Sequence, residues 1–431
     1  MSVVSFLKKL LDGASVEWKP LGSLGELVRG NGLQKTDFTE SGVPAIHYGQ
    51  IYTYYGLSTR STKSFVSPEL AKQLRKVNTG DVVITNTSEN LDDVGKALVY
   101  LGERQAVTGG HATVFRPGDC ILGKYFAYLT QTAHFAAEKR RYAKGAKVID
   151  VSATDMAKIE IPIPCPARPQ KSLEIQAEIV RILDAFAELT AELTAELTAE
   201  LTARKRQYNH YRDQLLRFEG GEVEWKALGE IGEFIRGKRF TKADFVDHGI
   251  DAIHYGEIYT RYGVWTDHAV TKVRPDLQGS LRYAKPHDVV LTGVGETVED
   301  VGKAVAWIGS GNVAIHDDSY AFRHSMNPKY IAYAMQTASF IDEKAKHVSR
   351  GKVNRLLFDG IAKVRVPIPY PNDTEKSLAE QARVVIILDK FDALTHSITE
   401  GLPKEIELRQ KQYEYYRDLL LSFPKPHEAV A

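Results

Sequence analysis

Apolar residues recur along this chain with two periods, short alternations and long helical stripes. Stretches such as AIHYGQIY (45–52), DVVIT (81–85), KALVYLG (96–102) and ATVFRP (112–117) are rich in β-branched and aromatic residues. Gly, Pro or Asn bounds them, so they predict strands and turns. KYFAYLTQTAHFAAEKRR (124–141) predicts one helix. IEIPIPCP (159–166) alternates Ile with Pro, which suits an extended edge strand or exit segment. From about Ser172 to Phe218 the stripe is continuously helical, through Ile175, Ile179, Leu183, Phe186, Tyr208, Tyr211 and Leu215. That is ~70 Å of helix, and a helix so long needs a partner. The segment from about Ser377 to Phe423 is the expected partner, kinked or split at Gly401–Leu402–Pro403. Within the first stripe, residues 187–204 read AELTAELTAELTAELTAR. Leu189, Leu193, Leu197 and Leu201 follow one another along the helix, drifting by ~40° per copy. The repeat predicts a helical rod whose length changes in fixed steps, although slippage in coding DNA also produces such repeats.

The pattern repeats as a whole. VEWKPLGSLGELVRGNGLQKTDFTESGVPAIHYGQIYTYYG (16–56) aligns without a gap with residues 223–263, identical at 24 of 41 positions. The register continues from 81–99 into 288–306. After a slip of two residues it resumes in KYFAYLTQTAHF and KYIAYAMQTASF. It ends with QYNHYRDQLLRF and QYEYYRDLLLSF. Each half is therefore one globular domain followed by one long helical segment. Two such halves are expected to pack about an approximate two-fold axis. The expected fold class is α+β: two homologous globular α/β domains separated by two long antiparallel helices, a coiled-coil spacer with an internal pseudo-two-fold. The expected boundaries are 1–155, 156–218, 219–365 and 366–431. SFLKKLL (5–11) aligns with the tail of the first helix and is expected near the end of the second.

Composition changes the picture little. A chain of 431 residues with formal net charge +1 holds two or three domains and no global attraction to nucleic acid. The two cysteines, Cys120 and Cys165, have no CxxC spacing, so neither a disulfide framework nor a zinc site is indicated. The N-terminal MSVVSFLKKLLDG lacks the apolar core and cleavage site of a signal peptide, and no apolar run reaches membrane-spanning length. The expectation is a cytoplasmic protein without a membrane partner.

The TAEL copies at 190–201, the PIP-P exits (Pro162–Pro166 and Pro367–Pro371), the QxxxVxILDxF runs and the QYxxYRDxLLxF ends carry a family resemblance. The chain resembles the specificity (S) subunit of type I restriction–modification systems, and the TAEL copies resemble the type IC subgroup. The resemblance covers the whole chain in its domain order. It implies that each globular domain reads half of a bipartite site in double-stranded DNA, while the helices space the domains and dock two modification (methyltransferase) subunits. It further implies restriction (translocase and nuclease) subunits as partners. S-adenosylmethionine, ATP and magnesium are then expected on those partners, with no cofactor on this chain and no catalytic residue. The residues agree by omission: GxxxxGK[ST], a nucleotide-binding glycine fingerprint and the NPP-aromatic motif are all missing.

Three surfaces per domain are candidates for DNA. The first is the glycine-punctuated loop, with Arg29 and Lys35 in one half and Arg236, Lys238, Arg239 and Lys242 in the other; a solvated hairpin is the bland reading. The second is the basic arc EKRRYAKGAK, with Lys139, Arg140, Arg141 and Lys144, matched by Lys344, Lys346, Arg350 and Lys352. A solvated helix end explains this arc as well. The third joins His47, Tyr48 and Gln50 to Thr85, Asn86 and Thr87, with His254, Tyr255, Glu257 and Thr292 as counterparts. Gln prefers adenine and Glu accepts from cytosine, so Gln50/Glu257 is a candidate for base choice, as are Asn31/Lys238, Tyr54/Arg261 and His111/Asp318. A structural His–Tyr pair is the alternative. No pattern has metal-ligand spacing. A structural adaptor with two ligand-binding domains on a helical rod is the competing function. An enzyme reading would rest on Asp92–Asp93 and Glu299–Asp300 beside Lys96 and Lys303. That run reads more simply as a turn into a strand.

Overall fold

The computed structural model describes residues 10–11, 13–218, 222–396 and 401–423. The chain folds as two compact units, Met1–Thr194 with Leu408–Ala431, and Ala195–Glu407. Each unit therefore combines one globular domain with pieces of both helical segments.

In the first unit a five-stranded sheet runs in the order Gly25–Arg29, Ala112–Pro117, Val82–Thr85, Ala97–Tyr100, Ser58–Thr59. A four-stranded sheet runs Ser64–Val66, Val43–Ile46, Ala106–Thr108, Arg75–Val77. The second unit repeats both: Gly232–Arg236, Ser319–His324, Val289–Thr292, Ala304–Trp307, Trp265–Thr266, and then Thr271–Val273, Phe245–Ile253, Val313–Ile315, Tyr283–Ala284. The Ile–Pro segments form strands Glu160–Pro164 and Arg365–Pro369. Each pairs antiparallel with the first strand of its own domain, Val16–Pro20 or Val223–Ala227. A two-stranded ribbon suits them, because proline removes every second ladder donor.

Two expected elements differ. The stretch 124–141 is two helices, Gly123–Leu129 and Ala133–Tyr142. The Thr130 and Thr132 hydroxyls bond back to the carbonyls of Ala127 and Leu129, and Thr132 then caps the second helix through the Phe135 amide. AIHYGQIY is a strand only as far as Ile46; Tyr48–Thr53 is a helix capped by the His47 ring, whose Nδ1 accepts from the Gly49 amide.

The long stripe is one helix, Pro169–Leu215, of 47 residues. Its expected partner is split as anticipated, into Thr374–His396 and Gly401–Leu420, with Gly401 in the left-handed region at φ +71°. In the first unit Phe186 meets Tyr416 (centroids 6.2 Å), and Leu193 and Arg409 line the same groove, which makes the pairing antiparallel. In the second, Tyr211 stacks on Phe391 at 6.2 Å. The repeat leucines are not equivalent: Leu189 is 62% exposed and Leu197 9%, as a stripe drifting around the helix requires. The segment 5–9 of SFLKKLL lies outside the described residues; Leu10 and Leu11 pack on the cluster that contains Leu420, Leu421 and Phe423.

The QxxxVxILDxF run has a physical role. Gln176 accepts from the Leu122 amide and donates to the Cys120 carbonyl. Eight residues on, Asp184 accepts from Tyr128 (2.7 Å) and from Lys124 (2.7 Å). Gln381 accepts from the Asn327 amide, and Asp389 accepts from Tyr333 (2.7 Å) and Lys329 (2.8 Å). Burial, reinforced by the facing carboxylates, keeps both tyrosine hydroxyls protonated, so they remain donors. The helix is thereby clamped to its own domain at two points. Asp389→Ala is expected to cost ~2–3 kcal/mol and Tyr333→Phe ~1 kcal/mol, because the first leaves a charged donor unmatched and the second removes one hydrogen bond. Thermal melting of the two variants checks this, and equal losses would contradict the clamp.

Candidate nucleic-acid interface

In the second unit the first and third candidate surfaces converge. Arg236, Arg239, Thr241 and Lys242 from the glycine-punctuated loop face His254, Tyr255, His316, Asp317, Asp318 and Arg355 around a pocket of about 460 Å³. The loop is held open by its own short-range bonds: the Thr241 amide donates to Asp244, whose carboxyl sits below its usual range for that reason. Arg236 Nε donates to the Asp317 carbonyl at 2.9 Å. In the first unit Arg29 Nε donates to the Gly110 carbonyl at 3.1 Å, so the same backbone anchor recurs. Arg29, Lys35, Arg236, Lys238, Arg239 and Lys242 are all exposed.

The histidines are structural. His254 Nδ1 accepts from the Gly256 amide at 3.2 Å, as His47 does from Gly49 at 3.1 Å. Each ring leans on the following tyrosine, at 4.6 Å for His47–Tyr48 and 4.5 Å for His254–Tyr255. Burial lowers both imidazoles, His254 to about 4, with neighbouring His316 and Lys242 adding to the effect. They are neutral near pH 7 and bring no charge to the site. Tyr48 also leans on His111, with ring centroids 4.8 Å apart.

Several expected contact residues are claimed by the fold. Gln50 Nε2 donates to Ser64 at 2.6 Å, whereas Glu257 caps the His254 amide and accepts from Thr271. The Gln50/Glu257 difference therefore tracks an internal hydrogen bond. Thr85, Asn86 and Thr292 have no exposed surface. Asn86 donates to the Val151 carbonyl and accepts from Thr113. Its counterpart is Gly293, where a Cβ would stand 2.9 Å from the ring of Tyr320, the counterpart of Thr113. One half fills this space with an amide and the other with a phenol ring, which is a core exchange. Thr87 is nearly buried, with Oγ1 at 2.9 Å from His111 Nδ1.

The basic arcs divide. Lys139 donates to the carbonyls of Asp92 (3.1 Å) and Val94 (2.7 Å), and Lys344, 1% exposed, to those of Glu299 (2.7 Å) and Val301 (2.6 Å). Both lysines are reassigned from phosphate contact to holding the turn that carries the aspartates. That turn enters a strand, with Lys96 paired to Asp93 at 2.7 Å. Arg140, Arg141, Lys144, Lys346, Arg350 and Lys352 stay exposed, Arg141 against Glu138 and Lys144 against Asp155. Arg355, which closes the basic run EKAKHVSRGKVNR (343–355), joins the pocket because strand Asn354–Arg355 pairs with Val294–Gly295. That long-range pairing brings it beside the arginine loop.

Among the described residues, His316, Asp317 and Asp318 form the one group whose potential metal-ligand atoms lie within 4.8 Å of one another. His316 Nδ1 already accepts from the Asp318 amide, and Asp318 faces Arg355 at 3.7 Å, so the donors are engaged. No helix among the described residues is long and apolar enough to cross a membrane.

The family described as "Type I restriction modification DNA specificity domain" matches residues 15–203 and again 221–408. The chain is 36% identical over 435 aligned residues to the EcoR124I/EcoR124II type I restriction enzyme specificity subunit of Escherichia coli, covering 99% of each. It is 31% identical to the putative type I restriction enzyme specificity subunit S.HindORF215P of Haemophilus influenzae, covering 97% of this chain and 98% of that one. A chain solved in work on complex assembly and conformational transition of the type I R-M system shares the fold, with TM-score 0.62 at 16% identity. That likeness covers 94% of this chain and 97% of the other.

Proposed function

The chain belongs to the type I restriction–modification specificity family as a specificity subunit, and from that premise we propose how it works. Each globular domain reads one half of a bipartite target in double-stranded DNA, with the arginine loop beside the histidine-capped helix as the contact surface. The helices space the two readers and dock two modification subunits; restriction subunits complete the assembly in the cytoplasm. S-adenosylmethionine, ATP and magnesium belong to those partners, and this chain performs no chemistry of its own. The observation that carries the reading is the recurrence of one exposed, cation-bearing site in both units, anchored by the same backbone bond, on a fold matched twice by the family. An adaptor binding protein or sugar has no comparable need for duplicated arginines next to glycine.

Because the two domains are close relatives, their half-sites are related, and a two-fold arrangement makes them approximately inverted repeats. Co-expression with the modification subunit, followed by single-molecule sequencing for methyladenine, is expected to show a split, near-palindromic motif with fixed spacing. Two unrelated half-sites would sink the palindrome; no motif from an assembled complex would return the adaptor reading.

A further inference from the structure

The two homologous sites differ in several charges, Asp317 standing where the first unit has Gly110, and one exchange is coupled across the site. In the first unit Asp150 stands 3.5 Å from the Arg29 guanidinium. In the second unit the strand position of Asp150 is taken by Arg355, as the matched ribbons Ile149–Asp150 and Asn354–Arg355 show. Arg355 turns to Asp318 at 3.7 Å, where the first unit has His111. Arg236, the counterpart of Arg29, keeps its backbone anchor and has no ion-pair carboxylate among the described residues. Arg239 and Lys242 line the same pocket, where the first unit has Gly32 and Lys35.

We propose that the second domain grips a backbone phosphate between Arg236 and Arg239, with Arg355 drawing the Asp318 carboxylate away from them, while in the first domain Asp150 holds Arg29 back from an equivalent contact. The inference rests on the DNA-reading function above and adds an inequality between its halves. A phosphate oxyanion suits the pocket because guanidinium forks match its geometry. An exposed ion pair at 3.5 Å is weak, yet its carboxylate repels an approaching phosphate and must be displaced before Arg29 serves one. Loss of counterions measures such contacts directly, at a slope of about 0.9 in log K against log salt for each phosphate neutralised.

The test uses the full chain assembled with its modification subunit. Binding to the mapped target duplex and to a scrambled duplex is titrated across sodium chloride concentrations for Arg236→Gln, Arg29→Gln and Asp150→Asn. All three positions are exposed or half-buried, and thermal melting confirms that the variants fold. Arg236→Gln is expected to lower the slope by about one on both duplexes, Arg29→Gln by less than half as much, and Asp150→Asn to raise it. Equal losses from the two arginine variants would overturn the inequality, as would an Asp150→Asn slope unchanged from the parent. A loss confined to the target duplex at constant slope would also overturn it, since Arg236 would then read a base edge. Absence of salt-dependent binding by the unaltered complex would instead overturn DNA recognition itself.

Discussion

Removing one Thr-Ala-Glu-Leu copy, residues 198–201, is expected to shorten the preferred spacer between half-sites by about one base pair while leaving both half-sites unchanged. The copies lie within the continuous helix Pro169–Leu215, so a deletion removes helix and not loop. Each copy contributes ~6 Å of rise and a net rotation of ~40°. One base pair is ~3.4 Å and ~35°, so the rotation nearly matches while the rise overshoots. A bend or tilt of the rod must absorb the rest. The antiparallel partner consists of two separate helices, Thr374–His396 and Gly401–Leu420, so a shorter first helix need not break a continuous second one. Methylation mapping of the deletion variant reads the spacing directly. An unchanged spacer in a folded, methylating complex would reject the repeat as a ruler and leave slippage as its explanation.

Lys344→Met should be among the most damaging single changes in the second domain, at about 3 kcal/mol, without touching DNA affinity per folded molecule. The ammonium satisfies the Glu299 and Val301 carbonyls, and methionine leaves both without a donor. Its pH dependence has a defined sign. Burial lowers the Lys344 pKa from 10.5 to about 8, against the opposing pull of Asp300 and Glu299. The folded value lies below the unfolded one, so the cost of burying the charge is fully present below about pH 8. It fades as pH rises toward the unfolded value, and this residue makes the parent gain stability there. Methionine removes that gain, so the difference between parent and variant should widen from pH 7 to 9.5 in denaturant melts. A difference that shrinks over that range would show that burial does not govern this lysine. Lys139→Met is expected to behave alike in the first domain, where burial lowers the lysine in the same direction.

Much of the architecture was legible in the residues because it is local or self-similar. The gapless match of 16–56 to 223–263 fixes the duplication, and the 3.6-residue stripe through Ile175, Ile179 and Leu183 fixes the long helix. The glycine and proline at 401–403 mark its partner's division, and the Ile–Pro run marks a strand that leaves the domain. Period and punctuation misread shorter pieces, because threonine hydroxyls break 124–141 into two helices and a histidine ring starts a helix directly after Ile46. Those decisions depend on which side chain reaches which amide.

The candidate site was legible as residue types and illegible as exposure. Lys139 and Arg140 are neighbours in one basic run, yet the first is spent inside on the Asp92 and Val94 carbonyls and the second faces solvent. Asn86 and Gln50 look like recognition amides and serve the interior. Asp184 and Asp389 look like ordinary helix carboxylates and fasten helix to domain. The sequence by itself therefore determined the duplicated plan, the rod and its stepwise repeat, since each follows from spacing along the chain. Tertiary structure alone decided which cations remain available and that Asp150 meets Arg29 while Arg355 joins Arg236, because charges distant in sequence acquire partners only when strand pairing brings them together.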